Sequence, residues 1–339
     1  MHDPVEISLV VPMHNEEAMV ERFFARVAPV LASITDSYEV ICVDDGSHDQ
    51  TVPLLLKARA ADPRIRIVSL SRRFGKEAAL TAGIEHASGQ AVIPIDADLQ
   101  DPPELLTEMV ATWREGYDTV VAVRTDRSQD SALKRATAAA FYSVMKRVGD
   151  VPITPNAGDF RLLDRRVVEA LKQLPERTRF MKGLFAWLGF RTAYVNYARP
   201  ERAAGTTKWQ FPRLWRFALE GITSFTSMPL TMWTYVGALM ASFAFLYALV
   251  IIGRTLMFGT DLPGYASLVV IILFFSGLNM LGIGIIGEYL GRVFVEVKHR
   301  PLYLVGNRYG FDDPAAESRP AQTQDSSSAP VGTGGQPPG

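Results

Sequence analysis

Asp96 and Asp98 stand one residue apart, directly after the apolar run Ala91-Val92-Ile93-Pro94-Ile95. Two carboxylates at i and i+2 on a turn can share one divalent cation. Mg2+ favours hard oxygen ligands and is commonly held by one or two carboxylates, with substrate phosphates completing its shell. Gln100 adds an amide oxygen, directly or through water. Alone, such a triplet is more often a solvated loop, and its place after a strand gives it weight. A second acidic cluster, Asp44-Asp45-Gly46-Ser47 with Asp49 and Thr51, follows the run Glu39 to Val43. A carboxylate at a strand end can accept a base imide proton or a ribose hydroxyl, and Gly46 permits a sharp turn. A helix cap accounts for Ser47 and Asp49, but not for the paired acids before them. Pro12 to Glu16 forms a third loop. Its plainer reading is a helix N-terminus, where Asn15, Glu16 and Glu17 suit the dipole.

The elements that position these groups are legible as alternating strands and helices. Strands are predicted at Ile7 to Val11, Glu39 to Val43, Ile65 to Ser69, Ala91 to Ile95 and Asp118 to Val123. Helical stretches run between them: Glu17 to Leu31, Asp49 to Ala60 with Asp49 or Ser47 as cap, Lys76 to His86, and one opened by Pro102-Pro103-Glu104. Repeated strand–helix–strand units predict a mainly parallel sheet covered by helices. Ligands of such sheets lie beyond the carboxyl ends of the strands. The polar motifs fall there, joined by Ser71-Arg72-Arg73 and Arg124-Thr125-Asp126-Arg127.

The C-terminal half has another composition. Met228 to Gly253 carries no charge, and neither does Tyr265 to Gly287. Each is long enough to cross a bilayer, which takes about 20 apolar residues. Two such runs around Gly259, Pro263 and Gly264 predict a transmembrane hairpin rather than buried core helices. Basic residues flank its outer ends: Lys208, Arg213 and Arg216 before, and Arg292, Lys298, His299 and Arg300 after. The loop between offers Arg254 against Asp261, so the positive-inside rule puts both ends in the cytoplasm. Lys208 to Phe225, with Trp209 and Trp215 among basic residues, reads as an amphipathic interfacial helix, and Tyr289 to Val297 as a matching segment.

Composition excludes several classes. The net charge of −1 gives no global basic field for nucleic acid. Cys42 is the single cysteine, in an apolar run, so it reads as core and leaves neither an intrachain disulfide nor a cysteine-built zinc site. The polar first residues, with an apolar run ending at Pro12, do not read as a signal peptide. Gly282-Ile283-Gly284-Ile285-Ile286-Gly287 matches a dinucleotide fingerprint in letters only. It lies inside an apolar run with no acidic partner, so helix packing is the better reading.

Taken together, Val10 to Glu17, Val43 to Ser47, Ser71 to Glu77, Asp96 to Pro103, Arg177 to Leu184, and Gly287 to Arg292 through Arg300 to Tyr303 resemble the family 2 glycosyltransferases of GT-A fold. Within that family the chain is similar to polyprenyl-phosphate glycosyltransferases, namely dolichyl-phosphate mannose synthase and the bacterial enzymes that charge undecaprenyl phosphate. The resemblance covers about residues 5 to 310. Where Arg73 stands, the family often has asparagine. The fold implied is α/β: a Rossmann-like GT-A sheet, mixed but mainly parallel, with helices on both faces, followed by interfacial helices and a two-helix transmembrane hairpin.

The resemblance also implies roles. Pro12, His14, Glu16, Asp44 and Asp45, with Asp96, would hold the nucleotide-sugar. Asp96, Asp98 and Gln100 would hold Mg2+ or Mn2+ on its diphosphate. Arg124 and Arg135 resemble arginines that manage phosphate charge, and Arg202 and Lys208 those that clamp the lipid phosphate. Asp159 resembles a residue near the reaction centre, although a structural salt bridge to Arg161 or a neighbour accounts for it equally. The implied reaction is an inverting transfer of a sugar to undecaprenyl phosphate at the cytosolic face of the inner membrane. UDP-glucose is the favoured donor, with GDP-mannose as the alternative. Relatives suggest a homo-oligomer, such as a tetramer. A processive polysaccharide synthase is disfavoured by the absence of a Gln-x-x-Arg-Trp motif, a nucleotidyltransferase by the absence of a glycine-rich signature near the first strand, and an inactive membrane scaffold by intact aspartate motifs. The expected organisation is a catalytic domain over 1–205, an interfacial helix region over 206–227, spans at 228–253 and 265–287 around an external loop 254–264, a cytosolic juxtamembrane segment 288–311 and a disordered tail 312–339.

Overall fold

In β1 (Ile7–Met13) successive side chains point to opposite faces, and the two faces bury different neighbours. Ile7, Leu9, Val11 and Met13 join Val20, Phe23, Val27 and Leu31 of α1 (Glu17–Ile34), whose three-to-four-residue spacing makes one apolar stripe. Leu55 of α2 (Thr51–Ala61) and Leu106, Met109 and Val110 of α4 (Leu105–Arg114) complete that side. Val10 faces the other way, with Ile41 and Val43 of β2 (Tyr38–Asp44). There it meets α3 (Lys76–His86), α5 (Arg165–Lys172) and α6 (Met181–Trp187). The result is a sheet with helices on both faces. This computed structural model describes residues 4–124, 157–174, 176, 179, 181–197, 228–258 and 264–311.

With β3 (Ile65–Leu70), β4 (Ala91–Pro94), β5 (Thr119–Arg124), β6 (Ala157–Asp164), β7 (Thr192–Tyr197) and β8 (Val305–Tyr309), the strand order is β7-β5-β6-β4-β1-β2-β3-β8. β1 pairs parallel with β2 and β4, β2 with β3, and β5 with β7. β6 runs antiparallel between β4 and β5, and β8 antiparallel to β3. Strands β1 to β5 therefore all end on one rim, and β6 begins there. The sheet is mixed, as expected, but β6, β7 and β8 were not foreseen. β6 carries Asp159, Arg161 and Asp164 among its apolar residues, and β8 is Val-Gly-Asn-Arg-Tyr, so neither reads as a buried apolar run.

α3 lies unusually close to the sheet. A Cβ on Gly83 would stand 2.2 Å from Val10 Cγ1, so only glycine allows this approach. At the rim opposite the polar loops, Glu39 is 98% buried, with a side-chain exposure of 2%. It accepts from Ser8 Oγ at 2.5 Å, from Ser88 N at 2.7 Å and from Ser88 Oγ at 2.8 Å, and pairs with Arg66 at 2.6 Å. Glu39→Ala leaves these donors and a cation without their partner. It is expected to destabilise the protein by about 3 kcal/mol, read as a lowered thermal midpoint of the purified protein with the fold otherwise unchanged.

The two apolar runs form α7 (Met228–Phe258) and α8 (Tyr265–Val297). Both are longer than expected. Residues 254–258 continue α7 instead of opening the loop, and Tyr289 to Val297 is the unbroken end of α8 rather than a separate segment. Neither junction contains a proline, and the single Arg254 does not interrupt the helical ladder. Gly282 of α8 packs on α7: a Cβ there would lie 2.1 Å from Trp233 Nε1, which accords with helix packing at that glycine, whereas a Cβ on Gly284 or Gly287 would meet nothing within 4 Å among the described residues. Leu230–Phe258 contains an 18-residue stretch with a mean hydropathy of 2.3 and is long and apolar enough to cross a membrane. Beyond α8 the chain returns to the sheet edge. Ser71 N donates to Leu304 O at 2.8 Å, and Tyr303 Oη donates to Glu85 at 2.5 Å. The interfacial helix expected over 206–227, residues 259–263 and the tail expected over 312–339 lie outside the described residues.

Candidate active site

The loops after β1 and β2 are stitched together by the small polar residues of the second motif. Asn15 N donates to Ser47 Oγ at 2.9 Å, Glu16 N to Thr51 Oγ1 at 2.9 Å and Glu17 N to Asp49 Oδ2 at 3.2 Å. His48 N returns a bond to Asn15 Oδ1 at 2.9 Å. Asn15 sits at φ 54, a left-handed conformation that asparagine tolerates. Asp49 also accepts from Thr51 N at 3.0 Å, although Gln50 takes the N-cap position of α2 expected for Asp49 or Ser47. This bracing presents Pro12, His14 and Glu16 to the rim.

Asp44 and Asp45 behave differently. Asp44 is buried, and its Oδ1 accepts from Ser47 N at 3.1 Å, which closes the turn. Asp45 reaches across to the loop after β3, where its two oxygens accept from Phe74 N at 2.6 Å and Gly75 N at 2.9 Å. His14 Nδ1 donates to the Asp45 carbonyl at 2.9 Å. Gly46, at φ 66, lies against the same loop, and a Cβ there would meet Arg73 N at 2.6 Å. Three loops are thus locked around one point.

A cavity of about 230 Å³ opens at that point, lined by Pro12, His14, Glu16, Asp45, Arg73, Lys76, Asp96 and Asp98. Six of these were singled out from sequence; Asp44 stands behind the wall. Glu16 has its pKa raised by burial first, then by Asp98, Asp49 and Asp96. Asp96 is also raised, again by burial first, with Asp159 and Asp98 adding to it and Lys76 offsetting part of it. Leu99, at φ 54, turns the chain so that Asp98 Oδ1 accepts from Gln100 N at 3.1 Å.

Lys76 is the residue that sequence reasoning passed over. Its Nζ lies 2.7 Å from Asp96 and 3.1 Å from Asp159. The signal was its place, directly after Gly75 and at the first position of a helix facing the polar rim. Asp159 therefore pairs with Lys76. Arg161, two residues on, is buried, donates to Gly158 O at 2.6 Å and stacks over Phe185 at 4.2 Å. Burial lowers its pKa to about 10, against the opposing pull of Asp159 and Glu77. Arg124 ends β5 opposite Tyr197. Tyr197 Oη donates to Asp101 at 2.5 Å. Burial raises the Asp101 pKa, with Tyr197 and Arg124 acting against it. Arg135, Arg202 and Lys208 lie outside the described residues.

The donor set suits a hard cation. Asp96 and Asp98 line the cavity, whereas Gln100 follows on the same loop without lining it; its Oε1 is buried without a hydrogen-bond partner among the described residues. No three His, Cys, Asp or Glu converge on a metal position among the described residues. Two carboxylates and an amide thus leave places that phosphate oxygens would complete, the arrangement Mg2+ and related ions favour.

Residues 8–172 match the model of glycosyl transferase family 2. The chain is 47% identical to the bactoprenol glucosyl transferase of Shigella phage SfV, over 89% of this chain and 99% of that one. The chain belongs to glycosyl transferase family 2. A further relative, an uncharacterized glycosyltransferase of Synechocystis, is 54% identical over 91% of this chain and 97% of its own length. The prophage bactoprenol glucosyl transferase homolog of Escherichia coli K12 is 46% identical over 89% and 98%. Among solved structures, the glucosyl-3-phosphoglycerate synthase of Mycobacterium tuberculosis, in complex with Mn2+, UDP and phosphoglyceric acid, is 22% identical with a TM-score of 0.46, over 65% of this chain and 76% of that one.

Proposed function

We propose that this family 2 glycosyltransferase moves glucose from UDP-glucose to a polyprenyl phosphate, undecaprenyl phosphate in a bacterial membrane, at the cytosolic face. The observation that carries this reading is the near-full-length identity with bactoprenol glucosyl transferases, which extends through both apolar helices. In this account α7 and α8 form a transmembrane hairpin with both termini cytosolic. Exposed apolar side chains along them, such as Leu239 at 72% and Phe243 at 71%, support a lipid environment.

Each residue then has a task. Pro12, His14 and Glu16 form the wall that receives the nucleotide, while Asp44 and Asp45 fix the turn and the loop that shape it. Asp96, Asp98 and Gln100 would hold Mg2+ or Mn2+, which when bound neutralises charge developing on the leaving diphosphate. Arg124 and Arg135 supply positive charge beside the phosphates. Arg202 and Lys208, just ahead of the membrane segment, hold the lipid phosphate. The acceptor oxygen is already ionised near neutrality, so a strong general base is not required. One in-line displacement inverts the anomeric carbon, and the Asp159 carboxylate, paired with Lys76 at 3.1 Å, is assigned to that centre.

A donor screen with purified full-length protein and undecaprenyl phosphate tests the sugar assignment. UDP-glucose is expected to give labelled lipid at least about tenfold faster, by kcat/KM, than GDP-mannose or UDP-N-acetylglucosamine. Preference for GDP-mannose would replace glucose by mannose in the account and leave the acceptor unchanged.

A further inference from the structure

Lys76 is delivered to its position by three constraints. Gly75, at φ 102, turns the chain into α3. Asp45 fixes the backbone N–H groups of Phe74 and Gly75 just ahead of it. Gly83 lets the whole helix press on β1. The ammonium then sits between carboxylates from two different strand ends, Asp96 after β4 and Asp159 at the start of β6. Side by side, these carboxylates repel, and one interposed cation reverses the sign of that interaction. Burial disfavours the charge on Lys76, yet Asp96 and Asp159 outweigh it and hold its pKa above the ordinary lysine value.

Asp96 is also a carboxylate assigned to the divalent cation, so the ammonium competes for the same oxygens. We propose that Lys76 is an internal counter-ion, a positioning residue that holds Asp96 and Asp159 together and suppresses divalent-cation binding until a diphosphate arrives. Negative charge from the nucleotide would compensate Lys76 and make tight metal binding depend on the donor. The metal would then enter together with the group whose departure it assists. This inference rests on the metal-assisted transfer proposed above.

The test is Mn2+ binding by calorimetry on the full-length protein, without and with UDP. Lys76→Met is expected to bind Mn2+ alone about tenfold or more tighter than the parent protein, because two carboxylates lose their competing cation. Lys76→Arg, which keeps the charge, is expected to stay within about threefold of the parent. The gain in Mn2+ affinity on adding UDP is expected to shrink in Lys76→Met. A lysine that merely props the loop predicts weaker Mn2+ binding on its removal, so equal or weaker binding by Lys76→Met would overturn the proposal. Should that variant fail to fold, amine acylation of the unaltered protein, mapped by peptide mass spectrometry, gives the same decision. Saturating Mn2+ alone, which must displace the ammonium from Asp96, is expected to increase labelling of Lys76, and unchanged labelling sinks the proposal. Glucosyl transfer by the unaltered protein is a separate measurement, so loss of the sugar-transfer reading and loss of the counter-ion reading are distinguishable.

Discussion

Asp96→Asn is expected to reduce glucosyl transfer by about 10²- to 10³-fold, the scale for removing one preorganised electrostatic contact at a developing charge. Asparagine keeps the size and one oxygen of aspartate but removes its charge. It takes away a carboxylate from the cation site and a partner from Lys76, whose Nζ lies 2.7 Å from it. The Lys76–Asp159 pair at 3.1 Å remains to keep the loop in place. The loss should therefore appear in kcat, with a weakened response to Mn2+ and little change in thermal midpoint. Near-normal turnover at low Mn2+ would remove Asp96 from the leaving-group role. Asp98→Ala is expected to act in the same direction.

Asp159→Asn separates a role at the reaction centre from a structural one. The structural alternative is stronger than sequence alone suggested, because Asp159 does form an ion pair, although with Lys76 rather than Arg161. If its carboxylate bears on the anomeric centre, kcat falls about 10²-fold or more while the dissociation constant for UDP-glucose stays within about threefold. If it only holds Lys76, donor affinity and thermal midpoint fall together and Lys76→Met reproduces the effect. Single-turnover transfer, donor binding and melting, measured on both variants, discriminate the two.

The sheet and its polar rim were legible because β1 to β5 follow a simple rule: apolar runs whose last residues become acidic or basic. That rule placed Asp45, Asp96, Asp98 and Arg124 on one edge. It could not find β6, where Asp159 and Arg161 interrupt the apolar pattern, nor β8, which pairs at an edge after a long excursion through α7 and α8. The division of labour within the second motif was also hidden. Ser47, Asp49 and Thr51 brace the first loop, and Asp45 grips the third, contacts that join residues about 30 positions apart. Lys76 escaped notice for the same reason, since its partners come from β4 and β6. Helix ends were set by the absence of breakers, and α8 therefore ran ten residues beyond its expected end, from Gly287 to Val297.

The decisive measurement is transfer of labelled glucose from UDP-glucose to undecaprenyl phosphate by the purified full-length protein in a bilayer with Mn2+. A labelled, organic-extractable product is expected, whose formation requires both the polyprenyl phosphate and the divalent cation and which shows inverted anomeric configuration. Label passing only to water or to a soluble acceptor, with none in the lipid, would contradict it.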